Sequence, residues 1–287
     1  MLIKTRTEPS SDWFLILKTI ILTLIKNPDS IFNRTTITAQ KNFLTDYLPH
    51  PVIVNSPDGI TFFARPHYED LARFLFAKIV AKWEPISQLS PKSGETFVDV
   101  GSNIGYYTLR LAKAVGQKGK VISIEPNPDS YEILTKNCKL NNLETIELHN
   151  LAIGDHNGSV KLFRAETHSG QSSLDSNLET SKNSVLVNLS TLDELLEKLS
   201  IIDWMKIDVE GSELNVLHGS QKTLLKTKKI LIEIHEPQLR KQNQKPEQII
   251  NILKNSGFKI TMFNEYWDKD NSPNQTLKSD YIFGERL

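Results

Sequence analysis

Thr96-Phe-Val-Asp-Val-Gly-Ser-Asn-Ile-Gly-Tyr-Tyr-Thr108 and, a turn of chain later, Val121-Ile-Ser-Ile-Glu-Pro126 decide how this sequence folds. Thr96 to Val100 is a short apolar, β-branched run of the kind that forms a strand covered on both faces in a parallel sheet. Asp99 interrupts it near its carboxyl end. Gly101 and Gly105, with Ser102 and Asn103 between them, let the backbone turn sharply and approach a ligand where a β-carbon would collide. A helix opens from that turn, and a second strand follows that ends on Glu125. In an open α/β sheet, ligands bind beyond the carboxyl ends of the strands, and an acid about 20 positions on receives the ribose hydroxyls of a nucleotide. Glu125 stands where that acid should be.

The spacing Gly101-x-x-x-Gly105 departs from the pyrophosphate fingerprint, which needs glycines two and then three apart, and no Gly-x-x-x-x-Gly-Lys-Ser/Thr loop occurs in the chain. Asp99 would repel a pyrophosphate. It suits a ligand with an ammonium group and a positive sulfur, reached directly or through a water. S-adenosylmethionine is such a ligand.

Asp99-Val-Gly-Ser-Asn-Ile-Gly-Tyr-Tyr-Thr, Glu125-Pro, Asn150-Leu-Ala-Ile-Gly-Asp155, Ser190-Thr-Leu-Asp193 and Lys206-Ile-Asp-Val-Glu-Gly211 occur in that order. Together they resemble the FkbM family of S-adenosylmethionine-dependent methyltransferases, over roughly residues 94 to 262. The resemblance implies a class I methyltransferase, Rossmann-like α/β fold: a mostly parallel seven-stranded sheet with helices on both faces. It also implies O-methylation of a hydroxyl on a sugar, glycolipid or polyketide-like molecule. The expected cofactor-binding residues are Asp99, Gly101, Ser102, Asn103, Gly105, Glu125, Asn150 and Ala152.

Strands are expected near 96–100, 120–125, 145–150, 202–208 and 228–235, with helices near 104–115, 128–141, 191–199, 212–225 and 246–256. That alternation means right-handed crossovers. Phe258 to Phe263 and Tyr281 to Phe283 read as an antiparallel pair closing the sheet. Gly158 to Arg164 and Val185 to Leu189 bracket a polar insertion, 166–183, which reads either as a lid over the ligand edge or as a disordered surface loop.

The fourth strand ends on Asp208 and Glu210, and the fifth on His235 and Glu236. Methyl transfer to a hydroxyl needs an in-line approach and removal of the hydroxyl proton. His235 is the first candidate base because its ordinary pKa lies near neutrality, with Asp208 and Glu210 orienting it or the substrate. Asp208, His235 and Glu236 could also meet on one divalent ion, yet nothing in the spacing demands it, and no metal ligand is assigned. Two other classes stay open: a nicotinamide oxidoreductase, disfavoured by the glycine spacing, and a non-catalytic adaptor that keeps the fold.

Residues 1–50 read as a helical extension and linker, 51–93 as a hairpin and helix leading in, and 94–287 as the cofactor-binding domain. Val52-Ile-Val and Ile60-Thr-Phe-Phe flank Asn-Ser-Pro-Asp-Gly, a turn sequence. Glu69 to Leu89 carries Leu71, Phe74, Leu75, Ile79 and Trp83 at helical spacing. Trp13 to Ile25 is apolar but falls short of the ~20 residues that span a bilayer. It suits a helix docked on the domain or on a second subunit of a homodimer, or a helix lying peripherally at a membrane surface. Lys plus Arg equals Asp plus Glu at 34 each, so no basic footprint for nucleic acid exists and a small-molecule or glycan acceptor is favoured. The lone Cys138 cannot form an internal disulfide, in keeping with a cytoplasmic protein, and its helical spacing with Tyr131 and Leu134 places it against the sheet.

Overall fold

The structure, a computed structural model, describes residues 52–56, 58–64, 89–164, 172–173, 184–263 and 281–286. The readings at 13–25 and 69–88, and most of 166–183, lie outside the described residues. The chain divides into two compact units, residues 1–78 and 79–287. In the first, β1 (Val52–Asn55) and β2 (Thr61–Ala64) pair antiparallel across the Asn-Ser-Pro-Asp-Gly turn, with Gly59 at φ +76. The expected hairpin is present.

In the second unit the elements run β3 (Thr96–Val100), α1 (Tyr106–Val115), β4 (Lys120–Ile124), α2 (Pro128–Leu140), β5 (Ile146–His149), β6 (Ala152–Ile153), β7 (Gly158–Arg164), β8 (Ser172–Ser173) and β9 (Ser184–Ser190). Then come α3 (Leu192–Leu195), β10 (Ile202–Ile207), α4 (Glu213–His218), α5 (Gln221–Leu225), β11 (Thr227–Glu233), α6 (Glu236–Lys241), α7 (Pro246–Asn255), β12 (Phe258–Phe263) and β13 (Tyr281–Arg286). The main sheet has the order β12-β13-β11-β10-β3-β4-β5, parallel throughout except for β13, which lies antiparallel to both neighbours. This is the expected class I methyltransferase sheet.

Its central strands are apolar on both faces because helices cover both. Val98, Val100, Ile122, Ile124, Met205, Ile207, Ile230 and Ile232 form one core cluster with Leu214, Leu217, Leu224 and Leu253 from the helices. Cys138 is buried on α2, and burial pushes its thiol up to about 12, so it is a packing residue. A second sheet, β6-β9-β7-β8, has its own small core of Ala152, Leu162, Val187 and Leu189. Ser172 and Ser173 pair with Phe163 and Arg164, so the insertion re-enters this sheet as β8.

Two expected helices are shorter than their spacing suggested. The 212–225 segment breaks into α4 and α5 at Gly219, where a β-carbon would fall 2.0 Å from the Gly154 carbonyl oxygen. The 191–199 segment is a single turn, α3, capped by the Thr191 hydroxyl accepting from the Glu194 N–H at 3.2 Å. Asp193 accepts from Lys222 N–H at 3.0 Å and Thr223 N–H at 2.7 Å, which caps α5. The Ser190-Thr-Leu-Asp193 motif is thus a double helix cap.

Asp203 ties three strands at their amino ends: it accepts from the Thr96 N–H at 2.9 Å and from Lys228 at 2.7 Å. Burial raises its pKa, but the Lys228 ammonium and the Thr96 N–H outweigh that and hold it below the ordinary 3.8. Its stabilisation is therefore full above the unfolded value and is lost as pH falls through the lower folded value. Asp203→Asn should cost about 1–3 kcal/mol at pH 7 and markedly less in acid strong enough to protonate the folded carboxyl, read from urea midpoints. An equal cost at both pH values would show that the charge is immaterial.

Candidate active site

The crevice is built where β3, β4, β10 and β11 end. After Val100 the chain turns through Gly101 (φ +84), Asn103 (φ +48) and Gly105 (φ +97) before α1 begins. Glu125, just past β4, fixes this loop: its carboxylate accepts from the Asn103 N–H and from the Asn127 N–H, each at 2.8 Å. A carboxylate offers about four acceptor sites, so holding the loop and receiving two ribose hydroxyls are compatible tasks. Asn150 donates to the carbonyls of Glu125 and Pro126 at 2.8 and 3.2 Å, which sets the backbone from which Glu125 projects. The Ser102 hydroxyl donates to the Asp99 carbonyl at 2.8 Å and receives the Ile124 N–H at 3.0 Å, locking β3 to β4.

Four of the residues expected at the cofactor, Asp99, Gly101, Gly105 and Ala152, also serve the protein's own packing. Asp99 is fully buried and sits beneath the crevice: Thr108 donates to its Oδ2 at 2.6 Å, and Lys206 faces it from the neighbouring strand. Burial, reinforced by Asp208 and opposed chiefly by Lys206, raises its pKa. Its cationic neighbour within the protein is Lys206 of the adjoining strand. Gly101 and Gly105 are required by the protein's own packing: β-carbons there would meet the Asp208 carbonyl oxygen at 1.7 Å and Leu134 Cδ1 at 2.8 Å. Ala152 is buried in the small sheet's core, so any contact it makes with a ligand falls to its backbone.

On the other side of β3, the strand ends bring Asp208, Glu210 and His235 together as expected. Glu210 (φ +51) and Gly211 (φ +101) swing the chain off β10 into α4. His235 Nε2 lies 3.4 Å from Glu210 Oε2 and 3.8 Å from Asp208 Oδ1. Two further carboxylates join them. Glu213, fully buried at the start of α4, pairs with His235 Nδ1 at 2.7 Å and also accepts the Gly211 N–H at 2.9 Å. Glu233, the last residue of β11, has Oε1 3.9 Å from Nε2. Glu236, the sequence candidate for an ion ligand, instead pairs with Arg240 at 2.8 Å on α6.

The setting of His235 favours its charged form. Burial disfavours its charge, but the Glu213 hydrogen bond and the carboxylates of Glu210 and Asp208 outweigh burial and raise its pKa to about 10. Surrounded this way, the imidazole holds its proton at neutral pH. Beneath it, the fully buried Lys206 donates to Asp208 Oδ2 at 2.8 Å and lies 4.5 Å from the Tyr107 ring centroid. Burial works against its charge too, yet Asp208, Asp99 and Glu233 raise its pKa above 10.5.

The Methyltransferase FkbM domain matches residues 99–260. Methyltransferase 1 of Beauveria bassiana is 26% identical over 183 residues, 56% of this chain and 72% of that protein. Methyltransferase sdnD of Sordaria araneosa is 27% identical over 213 residues, 62% of this chain and 79% of that protein. Hexuronic acid methyltransferase AglP of Haloferax volcanii is 30% identical over 139 residues, 48% of this chain and 54% of that protein. The family match begins at Asp99 on β3 and ends at Ile260 on β12, and it takes in Glu125, Asp208, Glu210, Glu213, Glu233 and His235 of the crevice. On that match and that sheet, this chain belongs to the FkbM family of S-adenosylmethionine-dependent methyltransferases.

Proposed function

We propose that this methyltransferase methylates a hydroxyl oxygen on a sugar, glycolipid or polyketide-like small molecule. The observation that carries the reading is the placement of two different groups on either side of β3. Glu125 and the glycine loop lie over β4, and Asp208, Glu210 and His235 lie over β10 and β11. S-adenosylmethionine supplies the electrophilic methyl group when bound.

Glu125 accepts the ribose hydroxyls while its backbone bonds keep the loop in place. Asp208 and Glu210 orient the acceptor and receive its proton as the new C–O bond forms, the part first assigned to His235. His235 lies between the two carboxylates and fixes their positions. A positioned proton acceptor of this kind contributes about 10^2 to 10^4 in rate. The Haloferax volcanii relative is named for a hexuronic acid, which favours the sugar end of this acceptor range.

Calorimetric titration with S-adenosylhomocysteine tests the cofactor side. Binding should weaken about 10- to 100-fold in Glu125→Ala, with NAD giving no signal. Thermal unfolding of the variant separates a lost ribose contact from a collapsed loop. Binding unchanged by Glu125→Ala, or binding of NAD alone, would overturn the reading. Mass spectrometry of hydroxylated glycans and lipids incubated with the chain then tests the acceptor, each product gaining one methyl.

A further inference from the structure

Four carboxylates gather around the His235 imidazole. Asp208, Glu210, Glu213 and Glu233 lie around this imidazole, and Lys206 is the ammonium paired with Asp208. The distances are as informative as the charges. Nε2 lies 3.8 Å from Asp208 Oδ1 and 3.9 Å from Glu233 Oε1, beyond hydrogen-bond reach. Two ligands sharing one ion with bonds of about 2.1 Å stand about 3.0–4.2 Å apart, depending on the angle between them. Among the described residues, one ligand atom each from Asp208, Glu233 and His235 lies within 4.8 Å of the others.

We propose that Asp208, Glu233 and His235 bind one divalent transition cation of the Mn2+ kind, with Glu210 at the rim of the site. Three further features fit it. Glu213 engages Nδ1 at 2.7 Å from a fully buried position, which turns Nε2 toward Asp208 and Glu233; this is the carboxylate–histidine–metal arrangement that orients ligating imidazoles. Lys206 holds Asp208 by Oδ2, so Oδ1 is the oxygen turned toward His235. One imidazole nitrogen with two carboxylate oxygens suits Mn2+ or its neighbours better than Mg2+.

The ion takes the place of the proton on Nε2, and the imidazole binds it in the neutral form. Its task rests on the methyl-transfer reading: it would bind the acceptor oxygen and acidify the hydroxyl beside Asp208 and Glu210. Its existence does not rest on that reading.

The test uses the full chain, stripped with a chelator, desalted and titrated with MnCl2 in the absence of S-adenosylmethionine. Electron paramagnetic resonance of free Mn2+ should show one ion taken up per chain. Spin-echo modulation should show an imidazole nitrogen on the bound ion. Glu233→Gln should weaken uptake at least tenfold, and Glu213→Gln about tenfold although it touches no ion. Glu236→Gln, a side chain engaged by Arg240, should leave uptake unchanged, and MgCl2 should bind more weakly than MnCl2. No saturable uptake, an ion without imidazole nitrogen, or tighter binding of Mg2+ would overturn the site, and those readouts on the unmutated chain stand even if a variant fails to fold. The same stripped protein titrated with S-adenosylhomocysteine keeps the two readings apart: Mn2+ uptake without cofactor binding supports the ion site and sinks the methyl-transfer reading alone.

Discussion

Gly101→Ala should leave almost no folded chain. A β-carbon at this position would lie 1.7 Å from the Asp208 carbonyl oxygen, and Gly101 has φ +84. Neither backbone can yield. Gly101 N–H donates to the Ile124 carbonyl at 3.0 Å, and Asp208 N–H donates to the Val100 carbonyl at 3.0 Å, so both sides of the contact are pinned by the central sheet. A clash between two fixed backbones adds to the ~1–2 kcal/mol of left-handed strain and should bring the loss above ~4 kcal/mol, against a typical domain stability of ~5–15 kcal/mol. Gly116→Ala is the control. Gly116 has φ +64 and ψ −169, a combination nearly confined to glycine, but its nearest atom would be Ser93 Oγ at 3.6 Å, so that variant should lose only the ~1–3 kcal/mol of local strain. Urea midpoints and soluble yield separate the two, and near-equal losses would show that the Asp208 contact relaxes at little cost.

The same residue shows where sequence reasoning stops. The glycine turn was legible because only glycine accepts such backbone angles readily, but what a β-carbon would strike depends on a strand more than a hundred positions away in the chain. The sequence therefore shows that a glycine is needed, and the structure adds the Asp208 carbonyl as one reason for it. The main sheet was legible for a simpler reason. Each central strand is a β-branched run covered on both faces, and no competing helical period runs through Thr96–Val100, Lys120–Ile124 or Ile202–Ile207. The break in 212–225 was signalled by Gly219, yet its necessity comes from Gly154 in the neighbouring small sheet.

In the crevice, the motif supplied Asp208 and Glu210, and the end of the fifth strand supplied His235. Glu233 was missed although a signal existed. Glu233 ends β11 and His235 is the N-cap two residues on, so the pair stands together at the strand end, whereas Glu236 has already entered α6. Lys206 likewise precedes Asp208 by two positions and lies beneath it. Glu213 had no comparable signal, since it reaches His235 only because the left-handed Glu210-Gly211 turn folds α4 back over the strand end. The pKa of His235 was beyond sequence reasoning for the same reason. It depends on carboxylates delivered by β10, β11 and α4 together.

Lys206→Met should cost about 3–5 kcal/mol, the second large loss expected in this fold. The methionine keeps the volume beside Tyr107, so the penalty comes from the charge alone. In its absence Asp208 loses a 2.8 Å charged hydrogen bond, and the buried Asp99 and the nearby Glu233 lose their shared cation. Lowering the number of negative charges should restore part of the loss, which gives the mechanism its own check. In a double-mutant cycle, Lys206→Met combined with Asp208→Asn should be more stable than the sum of the single losses by about 0.5–3 kcal/mol. Additive losses would mean that Lys206 serves the core by its aliphatic stem and not as the counter-charge of the strand ends. A positive coupling would establish this buried ammonium as the counter-charge that holds Asp208 at the end of β10.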